Sequence, residues 1–361
     1  MPVSAVAPRV LEAIEFQRTA GVTSPLLRAV LAATVADVER GGACADVLAH
    51  VDPALEPVAD AVTLRFVGAV HQIVLEGGAP ELARYYPSAG GAFSPDEPGD
   101  LAGTFVATVA EHAAEVVEGL SRPVQTNEVG RSASLLPGFL GVAAATQLPL
   151  RVLEIGASAG LNLRWDRYRY EGGAGGSAWG DERAAVRFTD VYTEPVPDLD
   201  VAATVAERSG CDANPLDVGT EAGRIALRAF VWPDQVERHA WLSAALAIAA
   251  DVPVVVTRAD AGEWIDAQLA EPAPGRATVV VHSVVWQYLD PDEQRTATET
   301  IHEAGRRATT TAPVAWLRLE PHRRIEVGAE LRLTLWPGGE DRSIGLSGYH
   351  GEWLRWGPAP D

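Results

Sequence analysis

The chain has no lysine, and all 29 of its basic residues are arginine. That absence excludes Schiff-base and pyridoxal-phosphate chemistry, and with them any phosphate-binding loop of the G-x-x-x-x-G-K type. Cysteine is almost as scarce, with Cys44 and Cys211 far apart and no C-x-x-C pair, so neither a zinc site nor a redox motif is expected. No run approaches the roughly 20 apolar residues of a membrane span. Residues 1–16 carry Arg9, Glu12 and Glu15 and lack an apolar signal core, which predicts a reducing, cytoplasmic setting. Positive charge is outweighed: 49 acidic against 29 basic residues gives a net charge of −20. Such a surface repels phosphate backbones and anionic lipid, so nucleic acid and membrane are not the expected partners. A small-molecule substrate is.

The 361 residues predict about two domains at roughly 150 residues each. Residues 1–122 read as helices. Ser24-Pro25 is a cap and first-turn proline, followed by Leu27, Val30, Leu31 and Val38 at helical spacing. A second helix is expected through Val58–Ile73, and a third, capped by Asp100, through Leu101–Leu120. From Leu150 onward, short apolar runs alternate with helical stretches: Arg151–Ile155, Thr204–Cys211, Val252–Arg258, Thr278–His282 and Val314–Leu319. They predict five buried parallel strands. Glu330–Trp336 and Ser343–Gly348, joined by Pro337-Gly338-Gly339-Glu340, predict a closing antiparallel hairpin. The expected fold is therefore α/β over residues 123–361, with an all-α domain before it and an insertion at about 165–200.

The segment Glu154-Ile155-Gly156-Ala157-Ser158-Ala159-Gly160-Leu161-Asn162 comes directly after the first strand. Its glycines let a ligand approach the backbone, and a helix beginning there would offer free N–H groups. Two bland or rival readings stand beside that one. The glycines could serve tight packing alone, and Gly156-x-Ser158-x-Gly160 also matches the nucleophile elbow of a serine hydrolase, with Asp260 or Asp290 and His322 or His350 as partners. Asp212, 56 residues after Gly156, sits in Gly210-Cys211-Asp212-Ala213-Asn214-Pro215 at the end of the second run, with Asp190 as the nearer alternative. Asp260-Ala261 lies just past the third run and also suits a helix N-cap. After the fourth run come His282, a candidate general base or a buried structural histidine, and Trp286 and Tyr288, candidate walls for a substrate. Arg131, beside Gln125-Thr126-Asn127-Glu128, is placed to pair with a ligand carboxylate. Val231–Gln235 reads as a proline turn or a pocket edge.

These residues carry two resemblances. Gln125–Arg131, Glu154–Leu163, Trp165–Tyr170, Gly210–Asp212, Val231–Gln235, Val284–Tyr288 and Leu335–Gly339 together resemble a bacterial family called domain of unknown function 2332, over nearly the whole chain. Residues 125–357 are also similar, through less specific motifs, to class I S-adenosylmethionine-dependent methyltransferases, with a Rossmann-like sheet. That second resemblance implies S-adenosylmethionine as cofactor. Arg131, Glu154, Gly156, Ser158, Gly160, Asn162, Asp212, Asp260 and Ala261 would bind it: Glu154 near the sulfonium and amino group, Asp212 at the ribose, Asp260 at the adenine. His282 would act as base, Trp286 and Tyr288 would border the substrate, and the helical domain would be a lid that selects it. The alternatives are a non-catalytic ligand-binding or scaffold protein on the same fold, and the serine hydrolase.

Overall fold

The computed structural model describes residues 8–19, 24–173, 176–193, 195–321 and 328–358. The chain forms two compact units, one running up to Thr126 and taking in Thr220–Ala240, the other made of Asn127–Gly219 and Trp241–Asp361. The helical unit thus draws on a second segment, which the sequence predicts as part of the α/β domain.

In the helical unit, Pro25–Glu39 begins as its sequence predicts: Ser24 Oγ accepts the Leu27 N–H at 2.9 Å, and Pro25 occupies the first turn. The expected second helix starts later, at Val62, and runs to Leu75. The expected third helix breaks at His112 into Leu101–Glu111 and Ala113–Ser121. Leu27, Leu31, Phe66, Val70, Phe105 and Val116 meet in one apolar core. The proline turn at Val231–Gln235 belongs to this unit, with Trp232 and Pro233 beside Leu26, Leu27 and His71. Its Asp234 accepts from Ser24 Oγ at 2.6 Å and from the Leu26 N–H at 3.1 Å, so it fixes the start of a helix about 210 residues earlier.

The second unit is a mixed α/β structure built on a large sheet. Its main strands are β1 Leu150–Ile155, β2 Val205–Asp212, β3 Val255–Arg258, β4 Ala277–Ser283, β5 Val314–Pro321, β6 Ala329–Trp336, β7 Glu340–Ser347 and β8 Leu354–Trp356. They lie in the order β8-β7-β6-β5-β4-β1-β2-β3, with Tyr192–Thr193 added beside β8. The five expected runs pair in parallel as β3-β2-β1-β4-β5, and β6 and β7 form the expected antiparallel hairpin. But β2 is only partly buried and the edge strand β3 is mostly exposed, where all five were expected to be buried. The insertion carries a separate three-stranded sheet of Ala178–Trp179, Arg169–Glu171 and Arg187–Phe188. Its core is the fully buried Trp165, Tyr168 and Tyr170, and Asp166 anchors it by a two-pronged ion pair to Arg208 of β2.

Chain connections diverge at β1, with β2 on one side and β4 on the other. Open α/β sheets bind ligands in the crevice beyond the carboxyl ends of the strands at such a switch point. Alternation then decides which side chains share a face. Leu153, Ile155, Val280 and Trp316 enter one core beneath the helices Ala261–Leu269 and Pro291–Arg307. His282, paired in register with Ile155, shares that face. Glu154, paired with Val281, points to the opposite face, covered by the helix Arg131–Thr146, whose Gly138 abuts Leu317 of β5.

Candidate functional site at the carboxyl ends of the central strands

The glycine loop after β1 leads into a different element from the one expected. No α-helix starts there; the chain enters a six-residue 3-10 helix, Asn162–Arg167, kinked at Arg164. Its backbone donors are also taken. Ala157 N–H goes to the Cys211 carbonyl, Ser158 N–H to Asp212 Oδ2 at 2.9 Å, and Gly160 N–H to the Ala157 carbonyl. The N–H groups of Ala159 and Leu161 both go to Asn127 Oδ1, at 3.2 and 2.8 Å. Arg164 clamps the loop from below, donating to the Gly160 and Val252 carbonyls. A loop with the five N–H groups of Ala157 to Leu161 spent within the protein, beside two carboxylates, is no cradle for a pyrophosphate.

The two glycines have packing reasons of their own. Gly156 sits at φ +69° with the Val285 side chain 2.4 Å from where a Cβ would lie, and Gly160, at φ +68°, packs on Val254 and Val256. The left-handed region is also entered by Ser158 (φ 52°) and by the β-branched Val284 (φ 50°), just past β4. For a β-branched residue that conformation is strained, and strain of this kind gathers at functional sites. Both lie on the two loops that meet at Gly156.

Glu154 has unspent capacity, as do His282 Nε2 and Glu320 Oε2 among the described residues. It is 3 % exposed, and its Oε2 has no hydrogen-bond partner. Burial, with the nearby negative charge of Asp212, pushes its carboxyl up to about 8, against the pull of Arg131 and Arg164. Arg131 heads its helix and donates from Nε to the Tyr349 carbonyl at 2.8 Å and from Nη1 to the Ser283 carbonyl at 3.0 Å. Asn162, also buried, receives Ser132 Oγ at 2.8 Å.

The remaining candidates divide. Asp212, half-buried at the end of β2, accepts from Ser158 N–H with one oxygen and from Asn214 N–H, at 2.8 Å, with the other. Asp190 is exposed in the insertion and is not at the end of a main strand. Asp260 is the N-cap of Ala261–Leu269, accepting from Glu263 N–H at 3.0 Å, and the Ala261 N–H goes to Glu293 at 2.6 Å. His282 is 1 % exposed and lies under Trp286, rings stacked at 4.5 Å. Trp286 therefore packs on the histidine in a 3-10 turn, not at the head of an α-helix, while Tyr288 is 63 % exposed.

Sequence reasoning missed Glu320, at the end of β5, which holds His282 Nδ1 at 2.6 Å and also accepts from the Val285 and Trp286 N–H groups. Only its place at a strand end signalled it. For the serine elbow, Ser158 has the left-handed φ, but Asp260 and Asp290 are both spent as helix caps. His350 lies 3.4 Å from Glu128, and His322 falls outside the described residues. Among the described residues no group of three metal-binding side chains converges, and no helix is long and apolar enough to cross a membrane.

One family model matches residues 13–356, described as an uncharacterized protein conserved in bacteria (DUF2332). No curated protein and no solved structure matches the chain.

Proposed function

The chain belongs to that bacterial family, and on this premise we propose that its α/β unit binds S-adenosylmethionine at the switch point and methylates a small molecule. One observation carries the reading: a buried carboxylate, Glu154, with an unpartnered oxygen at the end of β1. A buried acid without a partner is costly unless it stays protonated or meets a cation. An ammonium or sulfonium group supplies that cation, and a phosphate does not.

The rest of the site fits such a ligand in part. Asp212 puts a carboxylate at the end of β2, the position that suits ribose hydroxyls, and a carboxylate oxygen can accept more than one hydrogen bond. Arg131, though bonded to two carbonyls, places positive charge beside Glu154 for a ligand carboxylate. Asp260 and Ala261 are occupied as capping groups and contribute less than their motif suggests. When bound, the cofactor supplies an electrophilic methyl group. The protein's own contribution is to hold acceptor and methyl in line and to exclude water, which is where most of the acceleration comes from in such transfers.

Calorimetry with S-adenosylhomocysteine, and with NAD as control, tests the reading. Saturation by the first and not the second is expected. Glu154→Gln weakens binding ten- to a hundredfold, the worth of about 1.5–3 kcal/mol for a charged hydrogen bond. Affinity also rises with pH up to about 8, because the ligand needs the ionised carboxylate and binding releases its proton. No binding at millimolar concentration would end the proposal. Binding with no methyl turnover on any acceptor would leave the ligand-binding protein without the reaction.

A further inference from the structure

Resting on that reading, we propose that His350, held by the buried carboxylate of Glu128, is the catalytic base that takes the proton from the methyl acceptor.

Among its described residues the α/β unit has two histidine–glutamate pairs, His282–Glu320 and Glu128–His350, and their burial differs. In one, the His282 imidazole is 1 % exposed and its partner Glu320 18 %, and the outer atoms of both, His282 Nε2 and Glu320 Oε2, are buried, so this imidazole is closed off from an incoming acceptor. In the other, the Glu128 side chain is 5 % exposed and the His350 imidazole 41 %, with Nδ1 3.4 Å from Glu128 Oε2. A base must reach its substrate, and the group that orients it does best when buried behind it. Of these two pairs, the second has that arrangement. Nδ1 is buried and makes no hydrogen bond at 3.4 Å, and catalytic contacts of this kind often tighten only when substrate arrives.

The position of His350 is set by the backbone around it. Arg131, whose charge acts on Glu154, donates to the carbonyl of Tyr349, the residue before His350. A Cβ on Gly130 would lie 2.2 Å from the His350 carbonyl oxygen, and one on Gly351 would lie 2.1 Å from the Gly130 carbonyl oxygen. These contacts hold the His350 loop against the segment that also sends Asn127 into the glycine loop. Within the loop, the Gly351 N–H returns to the Gly348 carbonyl, and Glu352 accepts the His350 N–H at 2.9 Å.

The chemistry needs one proton acceptor. A neutral O–H or N–H acceptor loses a proton as its lone pair bonds the methyl carbon, while the methyl–sulfur electron pair returns to sulfur. The proton goes to His350 Nε2 and then to water. The substrate class is therefore a neutral hydroxyl or amine, since an anionic acceptor would need no base.

Diethyl pyrocarbonate, which acylates accessible imidazole nitrogen, reads this without a known acceptor. Peptide mapping of the full chain is expected to show His350 and the exposed His50 modified and His282 spared. Saturating S-adenosylhomocysteine slows modification of His350 at least tenfold and leaves His50 unchanged. At pH 8, where protonation does not mask nucleophilicity, His350 in Glu128→Gln reacts at least threefold more slowly than in the wild type. If the ligand binds and the His350 rate stays within twofold, His350 is not at the site, and the inference falls while the cofactor reading stands. An unchanged rate in a folded Glu128→Gln removes the pairing with Glu128. If the ligand does not bind at all, the cofactor reading falls and takes the role of His350 with it.

Discussion

His71 in the helical unit and Glu154 in the α/β unit are almost equally buried, at 2 % and 3 % exposed, and have opposite accounts. Both nitrogens of His71 are engaged, Nδ1 with the Ala229 carbonyl at 3.0 Å and Nε2 with Ser88 Oγ at 2.7 Å. Glu154 has an oxygen left over. A buried polar group satisfied on all sides is part of a core, whereas one left open at a switch point is a place for something else. The comparison also has a pH signature. Burial, with His239 beside it, pushes His71 down to about 3, and burial pushes His239 to about 4. Burial pushes Glu154 the other way, to about 8.

The largest expected effect comes from Glu154. Its unfolded carboxyl ionises near 4.5 while the folded one keeps its proton to about 8, so the folded state binds more protons across that window. Stability of the α/β unit then falls as pH rises from 4.5 to 8, by roughly 3–5 kcal/mol at about 1.4 kcal/mol per unit. Glu154→Gln removes this loss and makes the protein more stable than wild type at pH 8, even as it loses ligand. Denaturant melts of both proteins at pH 5 and 8 measure it; parallel pH slopes would refute it.

His71 gives the opposite slope. Its folded pKa is depressed, so its contribution is complete above pH 6.5 and is lost as pH falls toward 3. Between pH 6.5 and 4 that amounts to roughly 3 kcal/mol. His71→Phe loses the bonds to Ser88 and Ala229 at every pH but flattens the acid slope of the helical unit. Hydrogen exchange at the amides of Val62–Leu75 tracks it residue by residue. The smallest effect belongs to Asp260→Ala, which costs about 1 kcal/mol as a lost N-cap and leaves S-adenosylhomocysteine affinity within twofold. A tenfold loss of affinity would restore Asp260 to the ligand.

β1, β4 and β5 were legible because buried parallel strands are continuous apolar runs. β2 and β3 also appear within a few residues of their expected bounds, but β2 carries Glu207 and Arg208 and β3 is mostly exposed, so the expected burial fails toward that edge of the sheet. Ser24-Pro25 and Asp100 capped the helices they announced. The glycine loop was located but misread in function, because a glycine needed for Val285 to pack looks the same in a sequence as one needed for a ligand. Asp260 posed the same ambiguity between cap and anchor. The contributions of Glu320, Glu128 and Asn127 depend on approaches across 38, 222 and more than 30 residues, which neither periodicity nor local spacing encodes. Nor could Thr220–Ala240 be assigned to the helical unit, since Asp234 caps a helix from the far side of the chain's midpoint.

The bond from Arg131 to the Tyr349 carbonyl spans 218 residues. A ribosome adding about 5–20 residues per second needs roughly 11–44 s to carry the chain from one to the other. For that interval Arg131 and Glu128 exist without the segment that completes their surroundings, while β1 to β5 are already being laid down. The crevice therefore closes late in synthesis, with only β8 of the main strands still to come. A nascent chain stopped before Tyr349 would carry nearly the whole sheet and lack the lock on its carboxyl ends.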